Sequence, residues 1–309
     1  MSEPRTGDRA VHPTGHVVDP SWVPDAPLES PSAHGGLLEV FRRRYLLRLL
    51  VRKEIQARYS GSFLGMLWSY IQPAVRFAMF FFVIGLILNL RAHTEWFGIH
   101  MFAGFVFVHY FTETFGAGTR SIMRNKAILK KMAMPREMFP VASMLVSAFH
   151  VIPGLVILVT ACVAVGWRPD PAGLAAGLLG FGIVAVWGTA LALVFSAANV
   201  FFRDFGNIVG TLTTFVTFSA PMIYPFSFVE ERFGSLADYY LLNPIAEAVL
   251  LAQRAFWVGA TSDPEETIRT ELPANLWELG FIHLGVALVS LVVAQLIFSR
   301  LENKFAERL

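Results

Sequence analysis

The sequence has a single cysteine, Cys162, set inside an apolar run. No disulfide framework, CxxC pair or cysteine-built zinc site can form within one chain. Charge is also scarce: Asp, Glu, Lys and Arg make up 16% of the 309 residues, against about a quarter in soluble domains. The net charge of +2 is too small for a nucleic-acid binder. No GxxxxGK[ST] phosphate loop is present, which excludes ATP hydrolysis by that route. The GxSxG elbow and the HExxH zinc helix are missing as well. The eight histidines are scattered, and none stands at ligand spacing from a cysteine. His109, His150 and His283 fall in or near apolar stretches and read as hydrogen-bonded packing residues rather than catalysts.

What the chain does have is apolar surface. Hydrophobic residues make up 55% of it, and the mean hydropathy is +0.54. One globular core cannot bury that much, so lipid must cover part of it. Crossing a bilayer takes ~20 mostly apolar residues. Stretches of that kind predict six spans, at about 66–90, 97–119, 138–166, 173–201, 205–225 and 277–299. The expected fold is therefore an all-α polytopic membrane protein. Spans four and five are separated only by Phe201-Phe202-Arg203-Asp204-Phe205, which reads as a tight hairpin. With the N-terminus in the cytoplasm, 19 of the 25 Lys and Arg residues fall on the cytoplasmic side and five on the other. That bias puts both termini inside, in a multi-pass plasma-membrane protein.

Outside the spans three segments stand out. Residues 1–36 carry six prolines and no long apolar run, which predicts a disordered cytoplasmic tail. Its His12 and His16 lack further partners for a metal site, and no metal is expected. A basic segment, Arg58 included, runs from Leu37 to Met66, and in it Leu38, Phe41, Tyr45 and Leu49 recur at helical spacing among Arg42, Arg43, Arg44, Arg48, Arg52 and Lys53. This predicts a helix lying in the membrane interface, although Leu47 falls off its apolar stripe. The stretch 226–276 lies outside on this topology, yet Tyr239 to Val258 is largely apolar and broken at Asn243-Pro244. Helices that dip into the outer face and return fit that pattern. Backbone broken at such depth needs protein or a water-filled cavity around it.

Charges inside spans are costly and informative. Arg76 could snorkel to the cytoplasmic face or meet an anionic substrate group. Glu113 is expected to pair with Arg120 or Arg124. No cluster of acids or histidines at one depth is visible. Phe77, Phe80, Phe81 and Phe82 lie mid-span, and aromatic faces of this kind suit the apolar faces of sugar rings, although packing is the commoner role. Gly61/Gly65 and Gly206/Gly210 are GxxxG patterns, which mark close helix contact.

Four segments carry a family resemblance. Arg52 to Trp68 (RKEIQARYSGSFLGMLW), followed by Pro73, resembles the approach to the first span of type-2 ABC exporter permeases of the polysaccharide, O-antigen and teichoic acid branch. Asn125 to Glu137 (NKAILKKMAMPRE) is similar to that family's cytoplasmic segment between spans two and three. Asn199 to Asp204 (NVFFRD) resembles its four–five hairpin. Ser219 to Pro225 (SAPMIYP), with Asn243-Pro244 and Arg254, resembles the outer end of span five and the external re-entrant helices. The match covers about residues 37–309. Ala220 interrupts a Ser-Pro pair common in the family, and the long tail is not general. The 37–53 wording is also similar to actinobacterial exporters of lipid-linked galactan.

The resemblance implies a permease, not an enzyme: a homodimer joined to two ABC ATPase subunits. Together they would move a lipid-linked glycan to the outer membrane face. ATP and magnesium would sit on the ATPases, with no cofactor in this chain. It implies ATPase coupling through Arg42, Arg43, Arg44, Asn125, Lys130, Lys131, Pro135 and Arg136. Spans one and five would line a channel, with Trp68, Tyr70, Arg76, Phe77, Phe81, Phe218 and Tyr224 as its candidates. Asn243, Pro244 and Arg254 would belong to an outer gate. Alternatives are a type-2 permease for a drug or small lipid, an intramembrane glycan-processing enzyme, or a structural membrane protein.

Overall fold

The computed structural model describes residues 36–132 and 134–308, and no strand occurs among them. The proline-rich tail and its His12–His16 pair lie outside the described residues. In chain order the helices are α1 (Gly36–Arg42), α2 (Arg44–Tyr59), α3 (Trp68–Phe80), α4 (Phe97–Arg124), α5 (Lys126–Leu129), α6 (Met138–Ala164) and α7 (Pro171–Phe201). There follow α8 (Phe205–Ser219), α9 (Phe226–Phe233), α10 (Ala237–Tyr240), α11 (Pro244–Phe256), α12 (Pro264–Glu271), α13 (Leu276–Glu302) and α14 (Phe305–Arg308). α3 runs on as a π-helix over Phe81–Ile87.

Four helical segments are long and apolar enough to cross a bilayer: Gly65–Ile87, Met138–Ala164, Pro171–Phe201 and Leu276–Glu302. They coincide with the expected spans one, three, four and six. α4 has ample length at 28 residues, but it carries His100, His109 and Glu113 along it. The expected fifth span, 205–225, is the clearest departure. α8 has 15 residues and stops at Ser219. At 1.5 Å per residue it is ~22 Å long, about half the ~46 Å of its hairpin partner α7.

α11 begins where α8 ends. The Asn243 side chain at its start donates to Ser219 Oγ at 3.2 Å, at the end of α8. Arg254 near its other end grips Asp170, just before α7, with bonds of 2.8 and 2.7 Å. α11 is buried on nearly all sides, from Ile245 to Ala255, against α7, α4 and α13. Burial against these neighbours, with Glu247 and Gln253 included, is what holds a 13-residue helix too short to span.

One capping device recurs. Asp170, Asn243 and Asp263 each precede a proline, and each side chain accepts a backbone N–H of the first turn, from Gly173, Ile245 and Glu266. The Asx side chain satisfies an orphan donor, while proline at N1 gives up none. The four–five hairpin is closed by another side chain: Asn199 Oδ1 accepts from Gly206 N at 3.1 Å.

The core has two parts. The larger gathers α4, α7, α11 and the half of α6 nearer Ala164. The smaller joins Val40, Leu47 and Leu50 to Met134, Met138, Phe139, Phe298 and Phe305. This resolves the imperfect stripe of α1–α2. Leu38, Phe41, Tyr45 and Leu49 are exposed, while Leu47 is buried. One face is thus left for lipid, and the opposite face docks on the bundle. The close contacts do not lie at the GxxxG patterns. Gly61 and Gly65 sit at positive φ in the α2–α3 connection, and neither they nor Gly210 have a neighbour against the missing Cβ. Tight approach occurs instead at Gly104, Gly118, Gly180 and Gly188, where a Cβ would strike a facing helix.

The Arg254 guanidinium beside Asp170 holds its carboxyl below the ordinary 3.8. A depressed carboxylate contributes stability above its unfolded pKa and loses it as pH falls through the folded value. Asp170→Asn keeps the cap but not the charge. We expect the variant to be less stable than wild type at neutral pH, by no more than about 1 kcal/mol because the pair is solvent-screened. The difference should close below about pH 4, and thermal unfolding at both pH values measures it.

Candidate functional site

Polar side chains from α2, α3, α4, α6 and α8 converge on a cavity of about 700 Å³. Arg58 is its organising cation. Its Nη1 donates to Glu113 Oε2 at 3.2 Å and lies 3.3 Å from His150 Nδ1, joining α2 to α4 and α6. Tyr59 stands edge-on to the His150 ring and shares a hydrogen bond with Ser69. A second polar clamp lies at the C-terminal end of α4. Arg124 pairs with Glu54 at 2.8 Å, and Asn125 accepts from Lys53 and donates to Glu54. α2 is therefore fastened to α4 by ion pairs, while its buried Leu47 and Leu50 pack into the smaller core with Met138 and Phe139 of α6.

Two expectations change here. Glu113 pairs with Arg58, not with Arg120 or Arg124; Arg120 donates to the Gly206 carbonyl instead, at 3.4 Å. A group of ionisable side chains at one depth does exist, in Arg58, Glu113 and His150. It was hidden because its members lie 55 and 92 residues apart along the chain. Its carboxylate is committed to Arg58, so the geometry is that of a structural ion pair rather than of an acid–base catalyst. Among the described residues no group of His, Cys, Asp and Glu could hold a metal.

Arg76 differs from the other cationic residues of the cavity. It lines the same space, two turns into α3, and makes no hydrogen bond or ion pair among the described residues. Opposite it, Thr213, Thr214 and Thr217 run along α8. Their protons are spent on carbonyls of their own helix, which leaves oxygen lone pairs for a ligand's hydroxyls. Four guanidinium groups against two carboxylates make the cavity net positive.

The other sequence-predicted channel residues divide between two faces of α3. Phe218 lines the polar cavity with Arg76. Tyr70, Phe77 and Phe81 line a separate apolar groove. Trp68 borders a small hollow beside Arg58 and Tyr59. Tyr224 donates to the Phe218 carbonyl and meets Tyr240 hydroxyl to hydroxyl at 3.1 Å. Of the expected gate residues, Asn243 and Pro244 begin α11 and Arg254 anchors it.

The expected coupling residues also sort by accessibility. Arg42, Arg44, Lys130 and Lys131 are exposed, while Asn125 and Pro135 are buried. Arg43 is paired with Glu39 at 2.6 Å. Arg136 donates to the Glu302 carbonyl and lies over the Phe305 ring, 5.4 Å from its centre. It ties the 125–137 segment to the C-terminal helices. Glu137, buried one residue on, accepts from Gln295 of α13 at 2.7 Å.

The chain is similar to permeases that export polysaccharides. It is 26% identical over 273 residues to an O-antigen export system permease protein, RfbA, of Myxococcus xanthus, covering 87% of this chain and 97% of that one. It is 24% identical over 266 residues to an O-antigen export system permease protein of Klebsiella pneumoniae, covering 85% and 94%. It is 25% identical over 253 residues to the capsule polysaccharide export inner-membrane protein CtrC of Neisseria meningitidis serogroup B, covering 80% and 91%. The family model described as ABC-2 type transporter matches residues 45–254, from the docked α2 through the cavity helices to the Arg254 anchor, and the chain belongs to that family.

Proposed function

We propose that this chain is the membrane-spanning subunit of an ATP-driven exporter that moves a lipid-linked polysaccharide, such as a galactan, from the cytoplasmic to the outer face of the plasma membrane. The observation that carries the reading is the positive, hydroxyl-lined cavity around the uncommitted Arg76. A phosphate linking glycan to lipid would meet Arg76, and sugar hydroxyls would meet the threonine oxygens of α8. The exporter similarity of the relatives supports the same substrate class.

The rest of the assembly follows from the same surfaces. α3 has no buried residue and α8 buries only Val209, so one copy leaves the cavity open along those helices. A second copy of the chain would close it. α8 and α11 would together complete a fifth crossing, with α4 as the second, giving six passes and both termini in the cytoplasm. The exposed Arg42, Arg44, Lys130 and Lys131 would face two ABC ATPases, which bind ATP and magnesium. The clamps from Arg58 to Glu113 and from Arg124 to Glu54 would transmit ATPase motion from α2 to the cavity wall.

Reconstitution tests this. In proteoliposomes, outward movement of a lipid-linked glycan is expected only with the permease, the cognate ATPase and MgATP together. Movement without ATP or without the ATPase would overturn the proposal. So would an ATP-driven complex that carries small amphiphiles and ignores the glycan.

A further inference from the structure

On the face of α3 adjoining that of Arg76, an apolar groove of about 580 Å³ runs between α3, α4 and α6. Its walls are Phe77 and Phe81 of α3, Phe102 of α4, and Ile157 and Leu158 of α6. These α6 residues belong to the half nearer Ala164, and the groove ends at the 91–96 connection. On the charge-derived topology this is the outer half of the membrane. The volume is that of a ligand site, yet the lining is almost wholly hydrocarbon and aromatic.

The outer end of the groove has a different chemistry. Arg91 lies there, exposed, with no hydrogen bond or ion pair among the described residues. Glu95 lines the same end but forms no ion pair with Arg91 among the described residues; its carboxylate accepts from the backbone and hydroxyl of Ser262, at 3.0 and 2.9 Å. Thr94 also lines this end. It is 4% exposed, and its hydroxyl has no hydrogen-bond partner. A buried hydroxyl left unpaired is costly, and a cation beside it marks the place of an anion's oxygens. A hydrocarbon trough ending in a cation and an orphan donor is complementary to one kind of molecule, a lipid with a phosphate head.

We propose that this groove holds a hydrocarbon chain of an outer-leaflet phospholipid, with its phosphate taken by Arg91 and the Thr94 hydroxyl. The resident is a bilayer phospholipid rather than the tail of the exported glycan lipid. The polar cavity contacts α3 through Arg76 and Phe80, whereas the groove contacts it through Phe77 and Phe81. A lipid whose head enters the cavity leaves its tail on the cavity's side of that helix. The groove lipid supplies the packing that α3, with no buried residue of its own, does not obtain from protein. It thereby holds in place the helix that carries Arg76. This inference stands on the groove alone and does not require the glycan reading.

Lipid retained by the full chain, purified from membranes in mild detergent, measures the proposal. The wild type is expected to keep a phospholipid through purification. Arg91→Gln with Thr94→Val, and separately Ala161→Trp, which fills the groove, are expected to lower its retention at least ~10-fold, about 1.4 kcal/mol of binding. Size-exclusion profiles establish that the variants are folded. Should they fail to fold, a photo-crosslinking residue at Ile157 in an otherwise native chain keeps the proposal testable. It should capture a phospholipid carrying a photolabile acyl chain well above the same probe at the lipid-facing Phe281. Unchanged retention in folded variants, equal capture at the two positions, or polyprenyl lipid as the retained species would each overturn it.

Discussion

Arg76→Gln is expected to cut glycan export at least ~10-fold while leaving the amount of folded protein in the membrane unchanged. The expectation rests on an asymmetry among the four arginines of the cavity. Arg58, Arg120 and Arg124 are each engaged by a protein partner, so replacing any of them disturbs folding and function together. Arg76 has none. A cation within a membrane helix costs about 2.5–3.5 kcal/mol on insertion scales, so removing this one should not weaken the fold. What it removes is a charge-assisted bond to an anionic substrate, worth roughly 1.5–3 kcal/mol, which corresponds to about ten- to a hundredfold. Arg76→Lys keeps the charge but not the planar fork and should fall between. Arg76→Glu should be the most damaging, because it sets a like charge against the phosphate. The assay is ATP-dependent glycan movement in proteoliposomes, normalised to protein inserted. Full export by Arg76→Gln would remove the central support for the proposed substrate contact.

The second large effect is on stability, and it separates two glycines two positions apart on α4. A Cβ at Gly118 would lie 2.5 Å from the Cβ of Ala192 on α7, and both residues are buried at that seam. A Cβ at Gly116 meets nothing within 4 Å. Gly116→Ala should therefore be neutral or stabilising, since alanine is favoured in helices by about 1 kcal/mol. Gly118→Ala should lower the thermal midpoint, because α4 and α7 must move apart along one of the most extensive contacts in the bundle. Overpacking of this kind costs ~1–3 kcal/mol, and Gly118→Val should cost more. Ala192→Gly placed with Gly118→Ala should recover most of the loss, as coupled neighbours do. Scanning fluorimetry of the four variants beside the wild type in detergent decides the matter. Equal midpoints for Gly116→Ala and Gly118→Ala would contradict the packing described here.

Much of the fold was legible because the bilayer imposes a strict length and polarity on whatever crosses it. Apolar runs near 66–90, 138–166, 173–201 and 277–299 became helices with nearly those limits. The hairpin at 201–205 was readable from its brevity. The Asn243-Pro244 break announced α11, since an Asx-Pro pair both stops one helix and caps the next. α8 was harder. The residues 220–225 are as apolar as a span, and only the tie from Asn243 to Ser219 shows that the helix has ended and a second one has taken over. The site was less legible. Arg76 was conspicuous as a charge in an apolar run, but Arg58 looked like one more basic residue of an interface helix. Its partners Glu113 and His150 lie on other helices at separations that no local pattern reports.

By itself, the sequence determined that this chain lives in a membrane and which end of each long helix carries the cations. Those properties are sums over composition and short-range pattern, and they survive ignorance of which helix touches which. The tertiary structure alone decided which cations are spent and which are free. It paired Arg58, Arg124 and Arg254 with carboxylates and left Arg76 and Arg91 facing two different cavities, one polar and one apolar, on adjoining faces of α3. The reason is physical. A charge becomes available for a ligand only when no neighbour satisfies it, and neighbours across a helix bundle are set by packing, not by distance along the chain.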